Sequence, residues 1–178
     1  MFSKFNRIRV LVVEDHHGTA RTMQALLNSL GFKNVQHAED VPSAGDILQS
    51  GGVDLLLCDQ NLGGLSGLSL IKSIRRLDGI GNPNLPIIMV TAHADAETVS
   101  NALGQGVDAV LAKPVQPDRL LLCLEEALEK PRRFVKSKNY AGPDRRRRQM
   151  ANNPGRRAED SAPQYPTPKN KWIVPPKT

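Results

Sequence analysis

Short apolar runs and helix-like segments alternate along the first 130 residues of the chain. Five apolar runs predict β-strands, at residues 8–13, 35–38, 53–58, 86–90 and 109–112. Five segments with apolar residues at helical spacing predict helices, at residues 19–30, 43–49, 68–77, 94–103 and 117–130. Strands that are apolar throughout belong to parallel sheets covered by helices on both faces. The pattern therefore predicts an α/β fold with a doubly wound, five-stranded parallel sheet.

The last part of the chain has neither the apolar runs of strands nor the apolar spacing of helices. Residues 131–178 hold eight of the 13 prolines, and their 13 Lys/Arg and three Asp/Glu give a net charge of +10. Residues 1–130 hold 11 Lys/Arg and 15 Asp/Glu, a net charge of −4. A basic, proline-rich segment with few aliphatic residues buries too little apolar surface to offset the entropy lost on ordering. We therefore predict one folded domain at residues 1–130 and a disordered Pro/Arg-rich tail at residues 131–178.

The sequence gives no sign of export or membrane insertion. The N-terminal residues lack an apolar stretch followed by a small-residue cleavage site. No run approaches the ~18 apolar residues of a membrane span. Cys58 and Cys123 both lie in apolar runs, which predicts buried free thiols in a reducing compartment. We expect a soluble, cytoplasmic protein.

The polar residues that follow the predicted strands are the candidates for chemistry. They are Glu14, Asp15, Asp59, Thr91 and Lys113. In a doubly wound sheet, the carboxyl ends of such strands converge on one crevice. Three carboxylates there repel one another unless a cation joins them, and oxygen ligands suit Mg²⁺. A dication and an ammonium would favour a phosphoryl group, which a carboxylate can attack and a hydroxyl can hydrogen-bond.

These positions resemble the receiver domains of two-component response regulators, of the chemotaxis-regulator type. The resemblance covers about residues 7–130, and it rests on the acidic pair at 14–15, Asp59 in CDQNLGGLSG, Thr91 in VTAHAD, and Lys113-Pro114. It implies that Asp59 accepts phosphate from a histidine kinase or a phosphotransfer protein. It also implies that Thr91 and Lys113 contact the phosphoryl group.

The same resemblance implies a Mg²⁺ site next to the phosphorylated residue. Its ligands would be Asp15, Asp59 and the backbone carbonyl of Asn61, with Glu14 assisting through water. His16 and His17 follow the acidic pair, but without a third nitrogen or sulfur ligand we expect no transition-metal site.

Two positions depart from the pattern that is usual in this family. Gly63 stands where the family usually has proline, which predicts a loop of unchanged shape but greater mobility. Val110 stands three residues before Lys113, where the family usually has Tyr or Phe. In the family, that ring turns inward as the counterpart of Thr91 moves toward phosphate. Valine cannot provide that motion, which places the usual output switch in question.

One histidine has two interpretations. His93 lies two residues after Thr91 and is interpreted first as a surface loop residue. The alternative is that it flanks the crevice and tunes the lifetime of the phosphate.

Arginine and aromatic residues cluster in the tail. The cluster comprises Tyr140, Arg145, Arg146, Arg147, Arg148, Arg156, Arg157 and Trp172. Arginine binds phosphates in bidentate fashion and stacks on flat rings. The cluster is similar to the arginine-rich extensions with which some chemotaxis-regulator-like proteins bind cyclic di-GMP and then engage the flagellar motor. A solvated linker, an anionic protein partner and nucleic acid are alternatives, although DNA is less expected without a folded DNA-reading domain after the receiver.

Together these features predict a single-domain response regulator that acts through protein contact and is not a turnover enzyme. The downstream target would be a protein, with flagellar motor or chemotaxis components as candidates. The alternative is a phosphorylation-independent scaffold whose basic tail binds a nucleotide, nucleic acid or protein. A phosphatase of the haloacid-dehalogenase type also uses a strand-end Asp, Thr and Lys. Its general acid would fall at Asn61, which cannot donate a proton as a carboxylic acid does.

Overall fold

Strands and helices alternate in the computed structural model, which describes residues 4–76, 79–137, 140–144 and 173–174. In chain order the elements are β1 (Arg9–Val13), α1 (His17–Ser29), β2 (Asn34–Ala38), α2 (Val41–Ser50), β3 (Leu55–Asp59), β4 (Asn61–Leu62), β5 (Leu65–Ser66), α3 (Gly67–Arg75), β6 (Ile87–Thr91), α4 (Ala96–Gly104), β7 (Ala109–Ala112), α5 (Pro117–Glu129), β8 (Phe134–Ser137), β9 (Tyr140–Pro143) and β10 (Ile173–Val174). Each of the five predicted strands and five predicted helices is present. Leu77, the predicted last residue of the third helix, lies outside the described residues.

The main sheet is parallel and has the strand order β2-β1-β3-β6-β7-β10. The first five of these strands follow the flavodoxin-like order, in which the chain reverses direction across the sheet between β2 and β3. The predicted doubly wound, five-stranded parallel sheet is therefore confirmed. The two-residue strand β10 adds to the free edge of β7, where Ile173 pairs with Val110.

The core consists of one apolar layer on each face of the sheet. Alternate residues of a strand point to opposite faces, so Leu11 joins the layer under α2, α3 and α4, whereas Val12 joins the layer under α1 and α5. A fully buried leucine such as Leu56 contributes about 2 kcal/mol through the removal of its side chain from water. Burial on both faces is the reason why these strands are apolar throughout.

Both cysteines are free and buried, as predicted. Cys58 is the fourth residue of β3, and Cys123 lies on the inner face of α5. Burial raises the pKa of each thiol to about 12. Both thiols are therefore protonated at neutral pH, and they pack as small apolar groups.

Polar side chains fix where four of the helices begin, and at the start of α3 Ser66 Oγ accepts the N–H of Leu68. Asp40 accepts hydrogen bonds from the backbone N–H and the hydroxyl of Ser43 at the start of α2, and Asp95 does the same for Thr98 at the start of α4. His16 Nδ1 accepts the N–H of Thr19 at the start of α1. These side chains satisfy backbone donors that have no partner within the helix.

A buried arginine joins the loops at the amino ends of β6 and β7. The guanidinium of Arg75 donates to the backbone carbonyls of Pro83, Leu85 and Gly106 at 2.6, 2.7 and 2.8 Å. It also donates to Asp108 Oδ2 at 3.0 Å. This network lies at the end of the sheet opposite to the predicted site.

The chain beyond α5 continues as a β-hairpin, formed by β8 and β9, on the same end of the sheet. Arg132 Nη2 donates to the backbone carbonyl of Asp108 at 2.6 Å, just before the hairpin begins. Gly142 packs so closely on the turn before β7 that a Cβ at this position would lie 2.8 Å from Gly106 Cα. Phe134–Ser137 and Tyr140–Pro143, which lie in the segment predicted to be a disordered tail, form the two strands of this hairpin. Main-chain and ion-pair contacts hold them, and such contacts leave no apolar periodicity in the sequence.

The domain boundary at residue 130 stays a prediction. Beyond the hairpin, only residues 144, 173 and 174 are described. Within the described residues, no helix is both long enough and apolar enough to cross a membrane.

Candidate functional site

The predicted site residues lie together at the carboxyl ends of the central strands. Glu14 and Asp15 follow β1, Asp59 ends β3, Thr91 ends β6, and Lys113 follows β7. One carboxylate oxygen from each of the three acids lies within 4.8 Å of the others. The strands β1 and β3 are neighbours in the sheet although β2 lies between them in the chain, so the crevice is at the point where the topology reverses.

Lys113 bridges two of the three carboxylates. Its Nζ lies 2.7 Å from Asp59 Oδ2 and 2.7 Å from Glu14 Oε2. Burial alone would lower the pKa of Lys113, but the hydrogen bonds to Asp59 and Glu14 raise it above its ordinary value. Because its pKa is raised, the ammonium of Lys113 stays charged at neutral pH. One positive charge then faces three negative charges.

Asp15 ties the loop after β3 to the acidic pocket. Its Oδ2 accepts a hydrogen bond of 2.8 Å from the backbone N–H of Gly63. Gly63 has a φ of 56°, in the left-handed region that proline cannot adopt, and proline also has no N–H to donate. The loop itself folds into the small antiparallel hairpin of β4 and β5. The greater mobility predicted for this loop stays a prediction.

Thr91 is buried, and its hydroxyl is already engaged. Thr91 Oγ1 donates to Gln60 Oε1 at 2.5 Å and accepts the N–H of His93 at 3.1 Å. The backbone carbonyl of His93, also at 3.1 Å, is a second acceptor within reach of the same hydroxyl. Gln60 was not among the predicted site residues, although it directly follows Asp59. Its position after a strand was a signal, but only the tertiary structure shows that its amide contacts Thr91.

The donor set fits a divalent cation. Asp59 and Glu14 are 8% and 5% exposed, and burying several carboxylates that face a single ammonium is unfavourable. Oxygen ligands are those that Mg²⁺ prefers, and Asp15 supplies an exposed carboxylate at the mouth of the pocket. Asn61 is exposed in β4, and the role of its carbonyl as a ligand stays a prediction.

The other predicted positions that the structure describes are His93, Val110 and Tyr140. His93 is exposed on the loop after β6, which agrees with its interpretation as a surface residue. Val110 is 1% exposed and packs in the core layer under α2, α3 and α4. The hydroxyl of Tyr140 donates to the carbonyl of Pro143 within the second hairpin. The other predicted tail contacts lie outside the described residues; they are Arg145, Arg146, Arg147, Arg148, Arg156, Arg157 and Trp172.

Comparison of the sequence with known families and proteins agrees with this geometry. Residues 10–125 match the family described as "Response regulator receiver domain". The chain is 32% identical over 123 residues to "Chemotaxis protein CheY-3" of Vibrio cholerae serotype O1, a match that covers 69% of this chain and 93% of the relative. It is also 32% identical over 123 residues to "Chemotaxis protein CheY" of Pseudomonas aeruginosa, covering 69% of this chain and 98% of that protein.

Solved structures share the fold over the same part of the chain. The signal receiver domain of an HD domain-containing protein from Pseudomonas fluorescens Pf-5 is 28% identical, with a TM-score of 0.62, over 70% of this chain and 97% of that one. A CheY-like receiver domain protein from Methanospirillum hungatei JF-1 is 27% identical, with a TM-score of 0.62, over 70% of this chain and 95% of that one.

Receiver domains are signalling domains that bind Mg²⁺ at an acidic pocket and interact with histidine kinases or phosphotransfer proteins and with downstream targets. The acidic pocket, the strand order and the sequence match all lie within residues 10–125 and agree with one another. This chain belongs to the response regulator receiver domain family.

Proposed function

We propose that this chain is a phosphorylation-controlled signalling protein in which Asp59 accepts a phosphoryl group from a histidine kinase or a histidine phosphotransfer protein. The observation that carries the proposal is the position of Lys113 Nζ, 2.7 Å from Asp59 Oδ2 and 2.7 Å from Glu14 Oε2. This ammonium lies beside the carboxylate that would react, in a pocket with the further oxygen ligands that a divalent cation needs.

The reaction is a transfer between two residues of different proteins. A carboxylate oxygen of Asp59 attacks the phosphorus of a phosphohistidine, the phosphorus–nitrogen bond breaks, and the imidazole leaves and takes up a proton. The product on Asp59 is an acyl phosphate. Lys113 stabilises the negative charge of the phosphoryl oxygens, and the hydroxyl of Thr91 donates a hydrogen bond to one of them.

The acidic pocket supports a metal requirement for this transfer. Asp15 and Asp59, with the carbonyl of Asn61, would hold Mg²⁺, and the ion would neutralise oxygens of the incoming phosphoryl group. Glu14 is 5% exposed and hydrogen-bonded to Lys113. Its contribution is to hold the ammonium in place and to assist the ion through water.

We infer that output is by protein contact. The residue two positions after Asp59 is Asn61, which cannot act as a general acid toward an ester leaving group. The acyl phosphate would therefore serve as a signal, read by a partner that distinguishes the two states. A scaffold that acts without phosphorylation is the alternative.

The proposal is tested by incubating the full chain with a small acyl phosphate donor and Mg²⁺ and then measuring its intact mass. We expect a mass increase of one phosphate that is acid-stable, sensitive to hydroxylamine and prevented by a chelator. D59N should abolish the increase, and K113A should slow it by on the order of 100-fold, the typical effect of removing one electrostatic donor. The matched control is D46N, which removes an exposed carboxylate on α2 and should leave the rate unchanged.

Two results would contradict the proposal. If the wild-type chain gains no phosphate, the phosphorylation-independent scaffold is the better interpretation. Sustained turnover of a phosphate ester would instead identify an enzyme.

The prediction that the tail binds cyclic di-GMP needs a separate experiment, because most of the predicted tail contacts lie outside the described part of the chain. Binding should be compared between the intact chain and one ending after Asp144, which keeps the hairpin of β8 and β9. Loss of binding on truncation would support the tail as the binding segment. Equal affinity, or no binding by either chain, would exclude it.

A further inference from the structure

The hydroxyl of Thr91, which the proposed function needs for the phosphoryl group, is bonded to a neighbouring side chain. Its distance to Gln60 Oε1 is 2.5 Å, at the short end of the range for such bonds, whereas the other acceptor within reach, the carbonyl of His93, lies at 3.1 Å. A hydroxyl has one proton to donate. Thr91 therefore cannot donate to Gln60 and to a phosphoryl oxygen on Asp59 at the same time.

The backbone of Gln60 is fixed while its side chain reaches Thr91. The N–H of Gln60 donates to the carbonyl of Val90 at 3.0 Å, and its carbonyl accepts the N–H of Gly67 at 2.8 Å. These two bonds hold the residue between β6 and the start of α3. A change of partner at Thr91 would therefore reorient the partly exposed Gln60 side chain without moving its backbone.

We propose that Gln60 is a positioning residue that holds the Thr91 hydroxyl in the unphosphorylated state and releases it to the phosphoryl group on Asp59. This inference rests on the proposed function and specifies how that site is regulated. Gln60 competes with the phosphoryl group for one proton, so it slows phosphorylation. Because Val110 is buried in the core and has no ring to turn, the released Gln60 amide carries the change at Thr91 to the protein surface.

The test measures the rate of phosphorylation by a small acyl phosphate in the presence of Mg²⁺. Q60M keeps the length of the side chain but removes the strong oxygen acceptor, so we expect roughly three- to tenfold faster phosphorylation, the effect of one lost hydrogen bond. Q60E places a charged acceptor against Thr91 and should slow the reaction, since bonds to ionised acceptors are stronger. The matched control is Q49M on the exposed surface of α2, which should react at the wild-type rate.

A double-mutant cycle separates positioning from a general structural effect. T91V has no hydroxyl to hold, so Q60M should change the rate in the wild-type background but not in the T91V background. An equal effect of Q60M in both backgrounds, or no effect of Q60M or Q60E while the wild type is phosphorylated, would overturn the inference and leave the proposed function standing. If the wild type itself gains no phosphate, the proposed function fails and this inference fails with it.

Discussion

Two adjacent acidic residues, Glu14 and Asp15, have different partners although the sequence presents them as a pair. Glu14 is buried and bonds Lys113, whereas Asp15 is exposed and accepts the N–H of Gly63. The first therefore positions the ammonium, and the second holds the loop that follows Asp59. This difference gives Gly63 a role that a comparison with the usual family proline does not suggest.

We predict that replacing Gly63 with the proline that is usual in the family destabilises the protein. G63P cannot adopt a φ of 56°, and it loses the hydrogen bond to Asp15, so it should destabilise the fold by about 1–3 kcal/mol. It should also weaken the protection that Mg²⁺ gives against thermal unfolding. The control is G63N, because asparagine tolerates the left-handed region and keeps the N–H. A G63P protein that matches the wild type in both measurements would contradict this role.

Local polar residues help to set where the helices begin. Most of the predicted strands and helices agree with the observed elements to within two residues, and β7 agrees at both ends. The caps at Asp40 and Asp95 explain part of this agreement, because an acidic residue before an apolar period is itself a start signal. The two short hairpins were missed, because their strands are not continuous apolar runs.

The caps predict a specific pH dependence of stability. Hydrogen bonds from Ser43 lower the pKa of Asp40, and hydrogen bonds from Thr98 lower the pKa of Asp95. In the folded protein the pKa of each aspartate is lower than the value of about 3.9 in the unfolded chain. The stabilisation by each cap is therefore complete above about pH 3.9, and it is lost as the pH falls through the lower pKa of the folded state. The double variant D40N/D95N keeps both caps in a form that does not titrate.

This variant should lose less stability than the wild type as the pH falls from about 5 to about 3, the range around the ordinary pKa of aspartate. The measurement is the midpoint of urea unfolding at each pH. D46N is the control, since it removes an exposed carboxylate from α2 and leaves both caps intact. Parallel curves for the double variant and the wild type would show that the caps do not contribute to the acid sensitivity.

For the whole molecule, the structure extends the folded part of the chain beyond α5. Arg132 contributes to attaching the hairpin, because its guanidinium donates to the carbonyl of Asp108 and lies 3.7 Å from Asp108 Oδ1. The hairpin packs against the turn at Gly106, on the end of the sheet opposite to Asp59. Asp144, which follows the hairpin, directly precedes the arginine run at 145–148 in the sequence.

We predict that R132A destabilises the protein by about 2 kcal/mol, the typical value of a hydrogen bond from a charged group. Urea unfolding of the full chain measures this loss. R133A removes a neighbouring exposed arginine and should have little effect. A chain ending after Lys130 should be less stable than one ending after Asp144, and equal stability of the two would show that the hairpin does not support the domain.

The sequence by itself determined the order of strands and helices, the parallel sheet and the residues of the acidic pocket. These follow from local properties, because apolar runs covered on both faces predict parallel strands and the residues after such strands meet in one crevice. The tertiary structure alone decided which side chains form pairs there: Lys113 with Glu14, Asp15 with Gly63, and Thr91 with Gln60. It also decided that Phe134–Ser137 and Tyr140–Pro143 pair as a hairpin next to the domain. Such contacts depend on distances between residues far apart in the chain, and hydrophobic periodicity carries no information about those distances.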